Sequence, residues 1–171
     1  MFEHWDSFYI LIGSASGALI GLLFVVATLQ TGRDPDEASR GASIYLTPTV
    51  FHFAIVLVIS AMASVPGLGP RIVGSILAVC AAAGLVHAAR ITRYIRSAKT
   101  VPAAPHWTDF WCYGAVPGVA YLGLLASAVA AWTSAVCAAY LIAVSLLVLL
   151  LISIRNAWDL VTWLAPRAPR P

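Results

Sequence analysis

The chain has 171 residues, of which 61% are hydrophobic and only 10% are charged, and its net charge is +3. A soluble domain carries about a quarter charged residues, so this composition excludes most soluble classes, and its hydrophobicity excludes intrinsic disorder. The mean hydropathy of +0.89 predicts an integral membrane protein with little mass outside the bilayer. The basic residues form no run interleaved with aromatic side chains, which argues against a nucleic-acid partner.

Five apolar stretches are long enough for transmembrane helices, because a bilayer core of roughly 30 Å needs about 20 apolar residues in helical form. They cover about 8–30, 48–65, 71–90, 110–132 and 134–155. Continuous apolar runs exclude a membrane barrel, whose strands alternate apolar and polar residues. The sequence therefore predicts an all-α bundle of five transmembrane helices in a single domain over 1–164, followed by a disordered, Pro- and Arg-rich tail over 165–171.

The basic residues predict how the chain is threaded through the membrane. Of the ten Lys and Arg residues, nine fall between the first and second spans, at the end of the third span and before the fourth, or at the C-terminal end. Arg71 alone falls on the other side, between the second and third spans. The positive-inside rule then places the N-terminus outside and the C-terminus in the cytoplasm, which requires an odd number of spans. The acidic start lacks the positive region of a secretory signal, so we expect the first span to be retained.

The first span contains a doubled G-x-x-x-G pattern formed by Gly13, Gly17 and Gly21. Glycines at this spacing share one helix face and let a second helix approach closely. The pattern predicts a packing face, and three partners stay open: another helix of the same chain, a second copy in a homo-oligomer, or the lining of a pore. Pro117 in the fourth span predicts a kink.

His52 and His87 are ionisable side chains inside the spans, each about one turn from the predicted cytoplasmic end of its helix. Ionisable residues at this depth face the bundle interior by default and mark candidate functional sites. They are interpreted as neutral hydrogen-bonded core residues, as part of a proton or ion pathway, or as axial ligands of a haem. Three dispersed cysteines without a C-x-x-C pair predict neither a disulfide framework nor a metal site.

The fifth helix is predicted to run past the membrane as a short cytoplasmic extension with a polar face. Asn156 and Asp159 lie on that face, and Asp159 is one turn from Arg155, which favours an ion pair. The residues predicted near the same membrane surface form a candidate polar pathway or ligand cluster: His52, His87, Asn156, Asp159, Thr47 and Thr49.

Three motifs occur in order along the chain: GSxxGALxGLxFVV over 13–26, TPTxxHF over 47–53 and NAWDxVT over 156–162. Together they resemble a family of small, uncharacterised bacterial polytopic inner-membrane proteins, and the similarity spans nearly the whole chain. The resemblance implies the bacterial inner membrane and favours His52, Asn156 and Asp159 as residues to test, but it implies no activity. Leu23 replaces the family's usual glutamine and Arg155 its usual histidine, so any role of those groups is absent or changed here.

Several classes of function follow from these features. The glycine face, short loops and polar groups at one surface favour an oligomeric channel or pore for an ion or small solute. One alternative is a membrane-embedded accessory or regulatory subunit, which needs only packing surfaces and a protein partner. The other is a haem- or metal-binding redox protein, although no cofactor is predicted beyond a haem at His52 and His87. An enzyme is disfavoured because the chain lacks a nucleophile elbow, a phosphate loop and an intramembrane carboxylate pair.

Overall fold

The computed structural model describes residues 5–28, 46–97 and 107–164. Within them 92% of the residues are helical and none lies in a strand, so the all-α prediction is confirmed for this part of the chain. Residues 29–45, 98–106 and the predicted disordered tail over 165–171 lie outside the described residues. The third helix continues to Ser97, past the span end predicted at 90, and the fourth begins at Trp107.

Five helices make up the described chain. They are α1 (Asp6–Thr28), α2 (Thr47–Ala63), α3 (Pro70–Ser97), α4 (Trp107–Asp109, Phe110–Ala115 and Val116–Trp132 in succession) and α5 (Cys137–Leu164). Four of them, α1, α3, α4 and α5, are long and apolar enough to cross a membrane, as expected of a multi-pass membrane protein. The exception is α2, whose 17 residues are apolar but extend only about 25 Å at about 1.5 Å per residue. A crossing by α2 therefore stays a prediction.

Although it is the shortest of the five, α2 is central to the packing. It contacts α1, α3 and α5, while α4 packs between α3 and α5. Helices α2, α3, α4 and α5 therefore form a closed ring, in which α2 and α4 stand diagonally opposite each other. The first helix, α1, packs on the outside of this ring against α2 and α5. Fully buried apolar side chains from all four ring helices form the core: Phe53, Val56, Leu77, Leu124, Leu146 and Leu149.

A π-helical segment lies just before Pro117, where the sequence predicts a kink. Over Phe110–Ala115 the helix is wider than an α-helix, and the Val116 amide donates to the carbonyl of Trp111, five residues earlier. Proline has no amide hydrogen, so a helix must adjust its hydrogen bonding around it. Continued π-helical bonding would need the amide of residue 117 to donate to the carbonyl of Cys112, five residues earlier. Because Pro117 has no amide hydrogen, the backbone of α4 leaves this carbonyl without that donor.

Candidate functional site

The centre of the ring is bridged by a contact between the diagonal helices α2 and α4. Nδ1 of His52 on α2 lies 2.6 Å from the hydroxyl of Tyr121 on α4, and both side chains are fully buried. This hydrogen bond has two forms: either the hydroxyl donates to a bare Nδ1, or a protonated Nδ1 donates to the hydroxyl oxygen. In the first form the neutral ring carries its proton on Nε2, and in the second Nε2 is bare.

A glycine on α3 makes room for this bridge. A Cβ added to Gly84 would overlap the ring of Tyr121, so the ring lies directly against the α3 backbone. Any larger residue at this position would push Tyr121 away from α3. The reach of Tyr121 to His52 therefore depends on Gly84, which is buried three residues before His87.

His87 on α3 joins the same group of rings. Its imidazole stacks on the ring of Phe51 with a centroid separation of 4.5 Å, and its centroid lies 5.9 Å from that of His52 at nearly a right angle. His52 and Tyr121 are themselves 5.6 Å apart between centroids. We call these four residues, His52, His87, Tyr121 and Phe51, the histidine–tyrosine cluster.

Two nitrogens of the cluster have no hydrogen-bond partner. Nε2 of His52 and Nε2 of His87 are both buried and make no hydrogen bond within the described residues. Leaving a buried donor or acceptor unsatisfied costs about 1–3 kcal/mol, so such atoms are rare in folded proteins. The cluster therefore holds two buried imidazole nitrogens for which the described residues provide no hydrogen-bond partner.

Asn156, which the sequence grouped with the histidines, belongs to a second network on α5. Its Nδ2 donates to the carbonyl of Cys112 at 3.0 Å, which is the carbonyl that Pro117 cannot serve. Its Oδ1 accepts from Nη1 of Arg155 at 3.2 Å. The Asn156 side chain, which is fully buried, thus supplies the hydrogen bond that the π-helical segment of α4 lacks at the Cys112 carbonyl. We call Asn156, Arg155, Asp159 and the Cys112 carbonyl the Asn156 network.

Asp159 completes this network at the surface. Its carboxylate forms an ion pair with Arg155 one turn earlier at 2.8 Å, and both side chains are more than a third exposed. Within the described part of the chain, no hydrogen bond joins Asn156 or Asp159 to either histidine. The structure thus places the two histidines in one group and Asn156 with Asp159 in another.

The two threonines of that candidate cluster lie in the first turn of α2. Thr49 is fully buried, whereas Thr47 is exposed and is the first residue of the helix. The N-cap is Leu46, whose backbone angles are already helical and which provides no side-chain cap. Pro48 follows in the first turn, where its missing amide hydrogen is harmless.

The three glycines of α1 differ in their surroundings. Gly13 packs against α2, where an added Cβ would stand 2.9 Å from the Cβ of Ser60. Gly17 makes only an ordinary contact with Leu57, and an added Cβ on Gly21 would meet nothing within 4 Å. Close helix packing within one chain therefore involves Gly13, while Gly21 is exposed on the outer face of α1.

Sequence reasoning did not identify Tyr121 or Gly84. A tyrosine in an apolar helix is usually a core or interface residue, and a single glycine carries no pairing information. One signal was present, since Gly84 and His87 lie on the same face of α3 as buried Cys80. No spacing in the sequence links Tyr121 on α4 to this face of α3.

Comparisons with protein-family models, with curated proteins and with solved structures found no match to this chain. The family resemblance expected from the three motifs therefore stays a prediction. The geometry of the histidine–tyrosine cluster and of the Asn156 network is the basis for a functional proposal.

Proposed function

We propose that this chain provides a passage across the membrane for an ion or small solute, and that the histidine–tyrosine cluster lies on its route. The observation that carries the proposal is that two buried imidazole nitrogens, on fully buried His52 and half-buried His87, have no hydrogen-bond partner among the described residues. Ionisable side chains within membrane spans are costly and are found where a pathway or ligand uses them. The Asn156 network has its hydrogen-bonding groups paired, so it supports the bundle without lying on the route.

The proposed setting is a bacterial inner membrane, with the N-terminus outside and the C-terminus in the cytoplasm. Basic residues at 90, 93 and 96 near the end of α3, and at 155 on α5, support this orientation. In this orientation His87 lies toward the cytoplasmic end of its helix. The route would then reach the cytoplasm near the end of α3.

The proposal is tested by flux into vesicles. Vesicles that contain the purified protein should pass protons, K⁺ or urea faster than protein-free vesicles of the same lipid. His52→Ala should reduce that flux because it removes the buried imidazole, whereas Cys137→Ala, at an exposed position on α5, should leave it unchanged. Unchanged flux in His52→Ala would remove His52 from the route, whereas reduced flux in Asp159→Asn would place Asp159 on it.

The same two nitrogens are the reason to consider a redox role. A haem held between His52 and His87 would need a flat space across the gap between their rings. The ring of Phe51 stands beside that gap, 4.5 Å from His87 and 6.0 Å from His52 between centroids. The packing of this ring does not fit a haem at that place. An absorption spectrum with a Soret band would contradict this geometric argument.

Assembly into a homo-oligomer is a separate part of the proposal. The exposed outer face of α1, which includes Gly21, is compatible with a second copy or with lipid. A native mass of a single chain in mild detergent would remove the oligomer but leave a passage inside one chain. The alternative role as an accessory subunit predicts a stoichiometric protein partner that co-purifies after crosslinking in cells.

A further inference from the structure

We infer that the passage carries protons, and that it runs inside one chain through His52 and His87. This inference rests on the proposed function and specifies both the species that passes and the place where it passes. It differs from the pore expected from the glycine pattern, which would lie between copies of α1.

The packing of the cluster favours a proton over larger species. His52 and Tyr121 are fully buried, and the stacked rings of Phe51 and His87 are in van der Waals contact. An ion that keeps its water shell has no room between rings that touch. A proton needs none, because it moves along hydrogen bonds by the exchange of N–H and O–H bonds.

The chemistry of His52 suits such an exchange. Its Nδ1 is already engaged with Tyr121, while its Nε2 has no partner, so the ring can gain a proton at one nitrogen and lose one at the other. Nε2 of His87 is also unpartnered and buried. Neither Nε2 atom is accessible to solvent in the packed bundle, so transfer between the two rings requires a water molecule to enter beside the half-buried His87.

The transfer is balanced without any other reactant. Doubly protonated His52 gives its Nε2 proton to the bridging water as that water gives a proton to Nε2 of His87. One N–H bond breaks at His52, one forms at His87, and the water is regenerated. His52 is left neutral with its Nδ1 proton donated to the Tyr121 oxygen. Once this remaining proton has shifted to Nε2, Nδ1 can accept the next proton from the Tyr121 side.

The titratable groups around the pair leave the proton free to move on. From α3 these are Cys80, His87 and the exposed Arg90, and from α4 Tyr121. Neither α1 between 10 and 28 nor α5 between 141 and 154 carries a titratable side chain. No carboxylate on these facing stretches would hold the proton.

The deciding experiment uses vesicles that contain the full chain and a pH-sensitive dye, with K⁺ and urea flux measured in parallel. His52→Gln and His87→Gln keep hydrogen-bonding side chains of similar size but cannot relay a proton. Each should lower proton flux at least about tenfold. Gly21→Leu fills the outer face of α1, where an added Cβ has open space, and should leave proton flux unchanged.

Each alternative outcome has a distinct meaning. Wild-type proton flux in both glutamine variants overturns the inference. If the vesicles pass K⁺ or urea and Gly21→Leu abolishes that flux, the inference is also overturned, while the proposed function stands. Flux of none of the three species in the wild type overturns both. If a glutamine variant fails to fold, the wild-type chain still decides: proton selectivity with slower flux in D₂O supports the inference, and equal passage of K⁺ overturns it.

Discussion

The histidine–tyrosine cluster and the Asn156 network are both polar groups buried in an apolar bundle, yet they differ in how well they are satisfied. In the Asn156 network the amide bonds a carbonyl that Pro117 leaves open, and its oxygen accepts from Arg155. In the cluster, His52 has one partner for two nitrogens and Nε2 of His87 has none. A satisfied buried network stabilises a fold, whereas an unsatisfied buried group reduces its stability.

The largest expected effect comes from Gly84→Ala. The new Cβ would overlap the Tyr121 ring, and overpacking of this kind costs about 3 kcal/mol at the upper end of its usual range. Chemical unfolding in detergent measures the loss, and it should be accompanied by loss of proton flux. Gly21→Ala, where an added Cβ meets nothing within 4 Å, is the matched control and should be as stable as the wild type. Equal stability of both variants would show that Tyr121 does not lie against Gly84.

Asn156→Leu should have the next largest effect. Leucine has a similar size but leaves the Cys112 carbonyl without a donor, which costs about 2 kcal/mol. The midpoint of thermal unfolding should fall while the proton flux of the folded protein stays unchanged. Thr162→Val is the control, because its exposed hydroxyl bonds a carbonyl of its own helix. A loss of proton flux in folded Asn156→Leu would place Asn156 on the route and contradict the structural role of the Asn156 network.

Asp159→Asn should have a smaller effect. The ion pair with Arg155 is partly exposed, and such pairs contribute below about 1 kcal/mol. The difference in stability from the wild type should shrink further at high salt, where exposed charges are screened. A loss that is large and independent of salt would mean that Asp159 supports the buried amide through Arg155.

His87→Phe should have the smallest effect on stability and the most informative one. Phenylalanine retains a ring to stack on Phe51 and removes an unsatisfied nitrogen, so the free energy of unfolding should stay the same or rise. Tyr121→Phe, by contrast, leaves Nδ1 of His52 unpaired and should cost about 1 kcal/mol. If His87→Phe destabilises the protein as much as Tyr121→Phe, Nε2 of His87 is satisfied in the folded protein and the proton inference loses its basis.

Much of the architecture follows from local sequence patterns. Apolar runs of about 20 residues define four long helices because the backbone must bond internally in an apolar solvent. Pro117 predicts an irregular helix from local sterics alone. The prediction was less sharp for α2, since its apolar run ends in a turn at Gly67 and the helix itself stops at Ala63.

The grouping of the candidate site residues depended on information that one helix does not contain. His52, His87, Asn156 and Asp159 were expected near one membrane surface from their distance to helix ends. The distance of a residue from its helix end gives its depth in the membrane, but it does not give the direction in which its side chain points within the bundle. Asn156 turns toward the Cys112 carbonyl and His52 toward Tyr121 because of how the ring helices are rotated against each other.

The 10% charged composition by itself indicated a membrane protein, because so few charges cannot cover a soluble surface, and the continuous apolar runs indicated several helices. Local patterns of glycine, proline and apolar residues predicted five apolar helices, of which the structure has four long and one short. Only the tertiary structure decided that Gly84 admits Tyr121 to the centre and that two histidine nitrogens stay unsatisfied there. The physical reason is that satisfaction of a buried polar atom depends on the neighbouring helices, and their rotation is set by packing across the whole bundle.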